Sequence, residues 1–149
     1  MSKILFLCTG NYYRSRFAEL FFNELARQIQ LNWSSDSRGL APEFNFNNIG
    51  PISPFALERL VILGLKIPSS IRYPIRVEEN DLSQADRVIA LNDVEHRPYF
   101  ETRYLCYTER VEYWNIKDID QVLPAQALLE LEYKVRELID QLAIVKQVV

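Results

Sequence analysis

A chain of 149 residues has room for one domain with a real hydrophobic core and not for two of ordinary size, so residues 1–149 are read as one domain. Hydrophobic residues make up 48% and charged residues 25%, which excludes a disordered chain, and no stretch reaches the roughly 20 apolar residues that span a bilayer. A net charge of −3 gives no overall field toward nucleic acid, so any anion must be held by local groups. The short N-terminal apolar run lacks a cleavage site, so no signal peptide, no membrane partner and a cytoplasmic setting are expected.

Strand and helix patterns alternate along the chain. Lys3–Leu7 is a buried strand, and Ala18, Phe22, Leu25 and Ile29 recur at helical spacing over Ser15–Gln30. Asn32–Arg38 is a second, mostly polar strand near an edge, followed by an Asn-, Pro- and Gly-rich loop over Gly39–Pro51. Ser53 and Pro54 supply an N-cap and first-turn proline for a helix through about Leu63, closed by Gly64. Ser69–Asn80 is irregular, with room for a short helix. Asp86–Leu91 is a third strand, after which Asn92 or Asp93 caps a short helix expected to end near Pro98. Thr108–Trp114 is a fourth strand, Asn115–Gln121 an acidic loop, and Pro124 opens the last helix. Its stripe of Leu128, Leu131, Val135, Leu138, Leu142 and Val145 fits packing on the sheet better than a coiled-coil seam. The alternation predicts an α/β domain with a parallel sheet and helices on both faces, and a ligand site beyond the carboxyl ends of the strands.

Cys8 falls at one of those ends. The run Cys8-Thr9-Gly10-Asn11-Tyr12-Tyr13-Arg14-Ser15 has the form C-x5-R-S, after a strand and before a helix. An ordinary thiol titrates near 8.5, and a helix N-terminus together with an arginine are both sources of thiol acidity. Thr9, Gly10, Asn11, Tyr12 and Tyr13 can curl so that backbone N–H groups form a nest for phosphate oxygens. Gly10 and Asn11 are residue types that tolerate the left-handed backbone such a nest needs. Ser15 is placed to donate to the thiolate. A buried structural cysteine beside a surface arginine is the plainer reading, and the combined pattern argues against it.

The opening Ile4–Asn11, with Arg14-Ser15 and Phe17-Ala18-Glu19, resembles the low-molecular-weight protein tyrosine phosphatases and their arsenate reductase relatives. Ser37-Arg38-Gly39, Ala85–Leu91 and Trp114–Asp118 are similar, in order, to later landmarks of that family. The resemblance implies a three-layer α/β/α domain with a four-stranded parallel sheet, of the phosphotyrosine phosphatase I type. It also implies a two-step reaction on a phosphotyrosine protein or small aryl phosphate, with no cofactor and no metal. Cys8 would attack phosphorus, Arg14 would stabilise the transferring group, and an aspartate would act as acid and then base. Ser37 would hydrogen-bond Asn11 and support the loop.

This chain departs from that pattern in two places. Tyr13 stands where family members carry a second cysteine, so Tyr12 and Tyr13 either stack on an aryl group, narrow the mouth, or pack into the core. The family's acid precedes a proline; here Asp118 is the best-aligned residue, with Asp120 in reserve. His96, the single histidine, lies in a polar stretch and is expected at the surface, with no ligand-spaced partner for a metal. An arsenate reductase would need external thiols, because only Cys106 accompanies Cys8. A phosphate-binding module with little turnover is the remaining alternative.

Overall fold

Strand β1 (Ser2–Cys8) is buried on both faces from Ile4 onward, so it requires neighbours above, below and on either side. The computed structural model describes residues 1–148, with side chains through Ile144. β1 pairs with β2 (Trp33–Gly39) from Ser2↔Trp33 to Cys8↔Gly39, and on its other side with β3 (Arg87–Ala90). β4 (Val111–Tyr113) adds to β3, giving a four-stranded, all-parallel sheet of order β2-β1-β3-β4.

Strand side chains alternate between faces, and the two cores follow that alternation. Ile4, Phe6 and Ile89 join one cluster with α1 (Arg14–Gln28), α2 (Pro54–Ile62) and α5 (Pro124–Val148). Leu5, Leu7 and Val88 join the other with α3 (Glu79–Gln84) and α4 (Asp93–Arg103). The chain leaves β1 toward β2 on one side and returns through β3 on the other. That change of direction opens a crevice beyond the carboxyl end of β1, where a doubly wound sheet binds ligands. Cys8 continues the parity of Ile4 and Phe6 and so points toward α1.

Several expected elements differ in extent. The loop after β2 contains a 3-10 turn at Pro42–Asn45, a second lies at Leu105–Tyr107, and the fourth strand, expected from Thr108, begins at Val111. α3 starts where the irregular 69–80 segment ends, nucleated by a capping box between Glu78 and Asp81. α4 does not stop at Pro98 but runs on to Arg103. The proline removes one backbone donor, and burial of Phe100 in the second core holds the next turn in place. Leu128, Leu131, Val135, Leu138 and Leu142 of α5 are buried with Phe17, Phe21 and Phe22 of α1, so this stripe packs inside its own chain. The side chain of Val145 lies outside the described residues.

Phe6 sits between Phe22 (centroids 6.1 Å apart) and Trp114 (5.7 Å), linking the sheet to α1 and to the loop after β4. Phe6→Ala is expected to cost about 3–5 kcal/mol. Urea denaturation should report it as a lower midpoint at unchanged slope, and a loss below about 1 kcal/mol would contradict this account of the core.

Candidate active site

The loop after β1 turns its carbonyls outward. Cys8 O accepts from Leu40 N, Thr9 O from Ala41 N, Tyr12 O from Ser53 N and Tyr13 O from Phe17 N, while Gly10 O accepts from Asn45 Nδ2. The backbone N–H groups of Gly10, Asn11, Tyr12 and Tyr13 have no hydrogen-bond partner among the described residues. The N-terminus of α1 behind them has no side-chain cap and no acidic residue in its first turn. Unpaired donors and a helix N-terminus converging on one buried loop are the makings of an anion site.

Asn11 holds this shape. It is fully buried at φ 55, the one left-handed residue of the loop. Its Nδ2 donates to Ser15 Oγ and Ser37 Oγ, both at 2.9 Å, and its Oδ1 accepts from Arg72 Nη1 (3.0 Å) and Ile75 N (3.1 Å). Gly10, expected to share the left-handed conformation, does not have it. A Cβ there would meet the tip of the Asn45 side chain, which would have to move off Gly10 O. At Gly39 a Cβ would stand 3.0 Å from Thr9 O and 3.1 Å from Asn11 Cβ, a tighter fit because it presses on backbone.

Cys8 Sγ lies 3.0 Å from Ser15 Oγ, and both residues are buried. Asn11 donates to that oxygen and occupies one of its lone pairs, which leaves the serine proton available to a thiolate at Cys8. Ser37 accepts from Asn11 and from Arg72 Nη2 and donates to Glu19.

Arg14 is 2% exposed, and its guanidinium is gripped from behind. Nη1 and Nη2 each donate to Glu95 at 2.8 Å, Nη1 also donates to Ile116 O at 3.0 Å, and Asp118 Oδ2 stands 3.4 Å from Nη2. Burial works against the charge, but the Glu95 hydrogen bonds and the nearby Cys8 and Asp118 outweigh it and hold the group protonated. Burial likewise opposes ionisation of Glu95, yet His96, Arg14 and Thr9 together hold its carboxyl well below the usual carboxylate range.

His96 corrects a sequence expectation: it is fully buried, not at the surface. Its Nδ1 accepts from Asn92 N at 3.1 Å, so Nε2 carries the proton of the neutral ring and faces Thr9 Oγ1 at 3.1 Å. Thr9 then donates to Glu95 Oε1 at 2.6 Å. Burial is the main reason its affinity for a second proton is lowered. Glu95, His96 and Arg72 were missed in the sequence because 81, 87 and 61 residues separate them from their loop partners. The one local hint was His96 and Phe100 at helical i, i+4 spacing, a single inward face.

Above the loop is a cavity of about 410 Å³ lined by Cys8, Arg14 and Asp118 at its base and by Tyr12, Phe44, Phe55 and Ile119 higher up. Tyr13 lines it too, while its ring belongs to the core. Asp118 is half-buried; Asp120 is exposed and outside the lining. Cys106 lies in the turn before β4. Cys8 is buried, Cys106 is exposed, and both are free.

The buried histidine sets an acid limit on stability. Unfolding frees His96 to bind a proton near its ordinary 6.5, which the folded ring resists, so stability falls as pH drops below that value. Glu95 adds a further loss below 4.5. Wild type should lose urea midpoint between pH 7 and 5.5 by more than His96→Gln does; equal slopes would contradict it.

The family model described as low molecular weight phosphotyrosine protein phosphatase matches residues 3–143. No curated relative matches the chain by sequence. Among solved structures, the low molecular weight protein tyrosine phosphatase from T. tengcongensis is similar at 25% identity and TM-score 0.78, over 95% of this chain and 99% of that one. The YwlE arginine phosphatase of Bacillus subtilis, as a mutant with a phosphorylated active-site serine, aligns at 24% identity and TM-score 0.74, over 95% of each chain. Vibrio vulnificus Wzb in complex with benzylphosphonate aligns at 19% and 0.70, over 91% of this chain and 92% of that one. With the sheet order, the loop and these matches in agreement, the chain belongs to the low molecular weight phosphotyrosine protein phosphatase family.

Proposed function

We propose that the protein is a phosphomonoesterase that cleaves aryl phosphates of the phosphotyrosine type through a cysteinyl-phosphate intermediate. The observation that carries this reading is the loop itself: inward N–H donors unpaired over Cys8, with Arg14 and Asp118 on the same cavity. The Cys8 thiolate attacks phosphorus as the P–O bond to the aryl oxygen breaks. Protonated Asp118 gives its proton to the leaving phenoxide. The resulting carboxylate then takes a proton from water as its oxygen bonds to phosphorus and the S–P bond breaks, releasing phosphate and the thiolate. The Ser15 hydroxyl stabilises the departing thiolate, and the N–H nest with Arg14 carries the charge on the equatorial oxygens.

The rim favours an aryl ester. Tyr12, Phe44, Phe55 and Ile119 form apolar walls, against which a phenyl ring is desolvated at little cost and a cationic guanidinium at much more. That argues for an aryl ester over a phosphoarginine, the substrate type in the name of one relative. A protein or a small molecule can present the same ring. An internal thiol relay for arsenate reduction would have only Cys106 to draw on, an exposed thiol where Cys8 is buried.

Wild type is expected to hydrolyse p-nitrophenyl phosphate and phenyl phosphate, and Cys8→Ser to lose activity while still binding tungstate. Asp118→Asn should lower kcat/KM on phenyl phosphate by about 10²-fold or more and Asp120→Asn should not. Steady-state assays on the four proteins decide it. Tungstate binding without any wild-type turnover would leave a binding module.

A further inference from the structure

Tyr13 carries a feature for which the resting fold gives no reason. It is 7% exposed, its ring packs in the core with Phe17 and Ile52, and its hydroxyl is buried with no hydrogen-bond partner among the described residues. Leaving a phenolic O–H unpaired in the interior destabilises the fold, and phenylalanine would fill the same space without that cost. Yet Tyr13 also lines the cavity that holds Cys8, Arg14 and Asp118, and its phenol feels the charges of both Asp118 and Arg14.

Asp118 is the group that lacks a fixed place when the site fills. Its Oδ1 accepts from Ile119 N at 2.8 Å, and its Oδ2 rests 3.4 Å from Arg14 Nη2. A phosphoryl dianion competes for that guanidinium, whose other contacts, to Glu95 and Ile116 O, lie on its protein side. Once displaced, Oδ2 must carry the proton toward the leaving oxygen, and the carboxyl needs a second anchor to keep that direction. Oδ1 retains a free lone pair for one.

We propose that Tyr13 is a positioning residue for Asp118: with a phosphoryl group in the loop, the Tyr13 hydroxyl donates to Asp118 Oδ1 and holds Oδ2 toward the leaving oxygen. This rests on the phosphatase reading given above. The phenol is suited to the task, because burial and then the negative charge of Asp118 push its pKa up to about 12, so it remains a neutral donor at working pH. Arg14 pulls it the other way by a smaller amount. The device separates two demands: the arginine serves the phosphate, and the tyrosine takes over the acid.

Tyr13→Phe, alone and combined with Asp118→Asn, tests this. Three results are expected. The thermal midpoint of Tyr13→Phe equals or exceeds that of wild type. Its kcat/KM falls about tenfold on phenyl phosphate, a poor leaving group, and less than twofold on p-nitrophenyl phosphate. In the Asp118→Asn background the same substitution changes neither. A lower midpoint, an equal fall on both esters, or additive losses would each overturn the proposal. Carbon-13 titration of the Asp118 carboxyl with tungstate bound gives a readout that does not need turnover. Loss of the donor should move the carboxyl resonance, and identical titration curves in the two proteins would refute the contact. If wild type proves inactive, the phosphatase reading fails on its own assay and this titration still decides the role of Tyr13.

Discussion

The geometry of the site depends on one buried amide. Asn11 stands in a backbone region that costs an L-residue of the order of 1 kcal/mol or more, and its four side-chain hydrogen bonds reach three separate segments: α1, the end of β2, and the stretch that carries Arg72 and Ile75. Without that saturation the loop would relax toward ordinary turns, and its N–H groups would find partners outside. With it, the carbonyls are committed outward and the donors are left inward. The inward set of donors is therefore a consequence of strain held by over-determination, and the same amide also donates to Ser15, whose hydroxyl lies 3.0 Å from Cys8 Sγ.

A second constraint acts on Arg14. A buried guanidinium without partners is very costly, and an ion pair that exhausted its donors would leave nothing for a ligand. Glu95 answers the first need from the protein side, with Ile116 O completing the rear contacts. Thr9 and the neutral His96 then fix Glu95 in place, so one first-turn residue of α4 is tied to both ends of the loop. This explains why α4 must be anchored despite Pro98: its N-terminal turn is part of the site, and Phe100 in the second core keeps the helix seated. A structural pair of this kind contributes little to net stability, but removing one partner leaves a buried charge exposed to the cavity.

What the sequence made legible was local. The hydrophobic run of β1, the proline-led starts of α2 and α5, and the C-x5-R-S spacing each encode their structure within a few residues, and all four strands lie where alternation suggested. The hidden part was everything decided by contact at long separation. Arg72 lies in a segment without periodicity, and its role follows only from where that segment crosses β2. Glu95 and His96 lie in a polar run that looks solvated until α4 is known to continue, because a helix cut at Pro98 would carry no Phe100 to define its inner face. Gly10 illustrates a subtler failure: of the two residues expected to be left-handed only Asn11 is, and Gly10 instead leaves room for the Asn45 side chain.

The division between cradle and rim also limits what the cradle can select. Backbone N–H groups and a guanidinium recognise a tetrahedral dianion by charge and geometry, and they are blind to what the phosphate is attached to. Discrimination must therefore come from groups supplied by other loops: Tyr12 from the mouth of the nest, Phe44 from the 3-10 turn, Phe55 from the start of α2, and Ile119 after Asp118. These residues are held to the loop by Asn45 on Gly10 O, Tyr12 Oη on Ile49 O and Ser53 N on Tyr12 O, so the rim is fastened to the cradle rather than draped over it. A rim fixed in this way can change its side chains without disturbing Asn11 or Arg14. A cradle and rim built on separate segments can thus vary independently, the rim changing what it touches while the cradle keeps its donors.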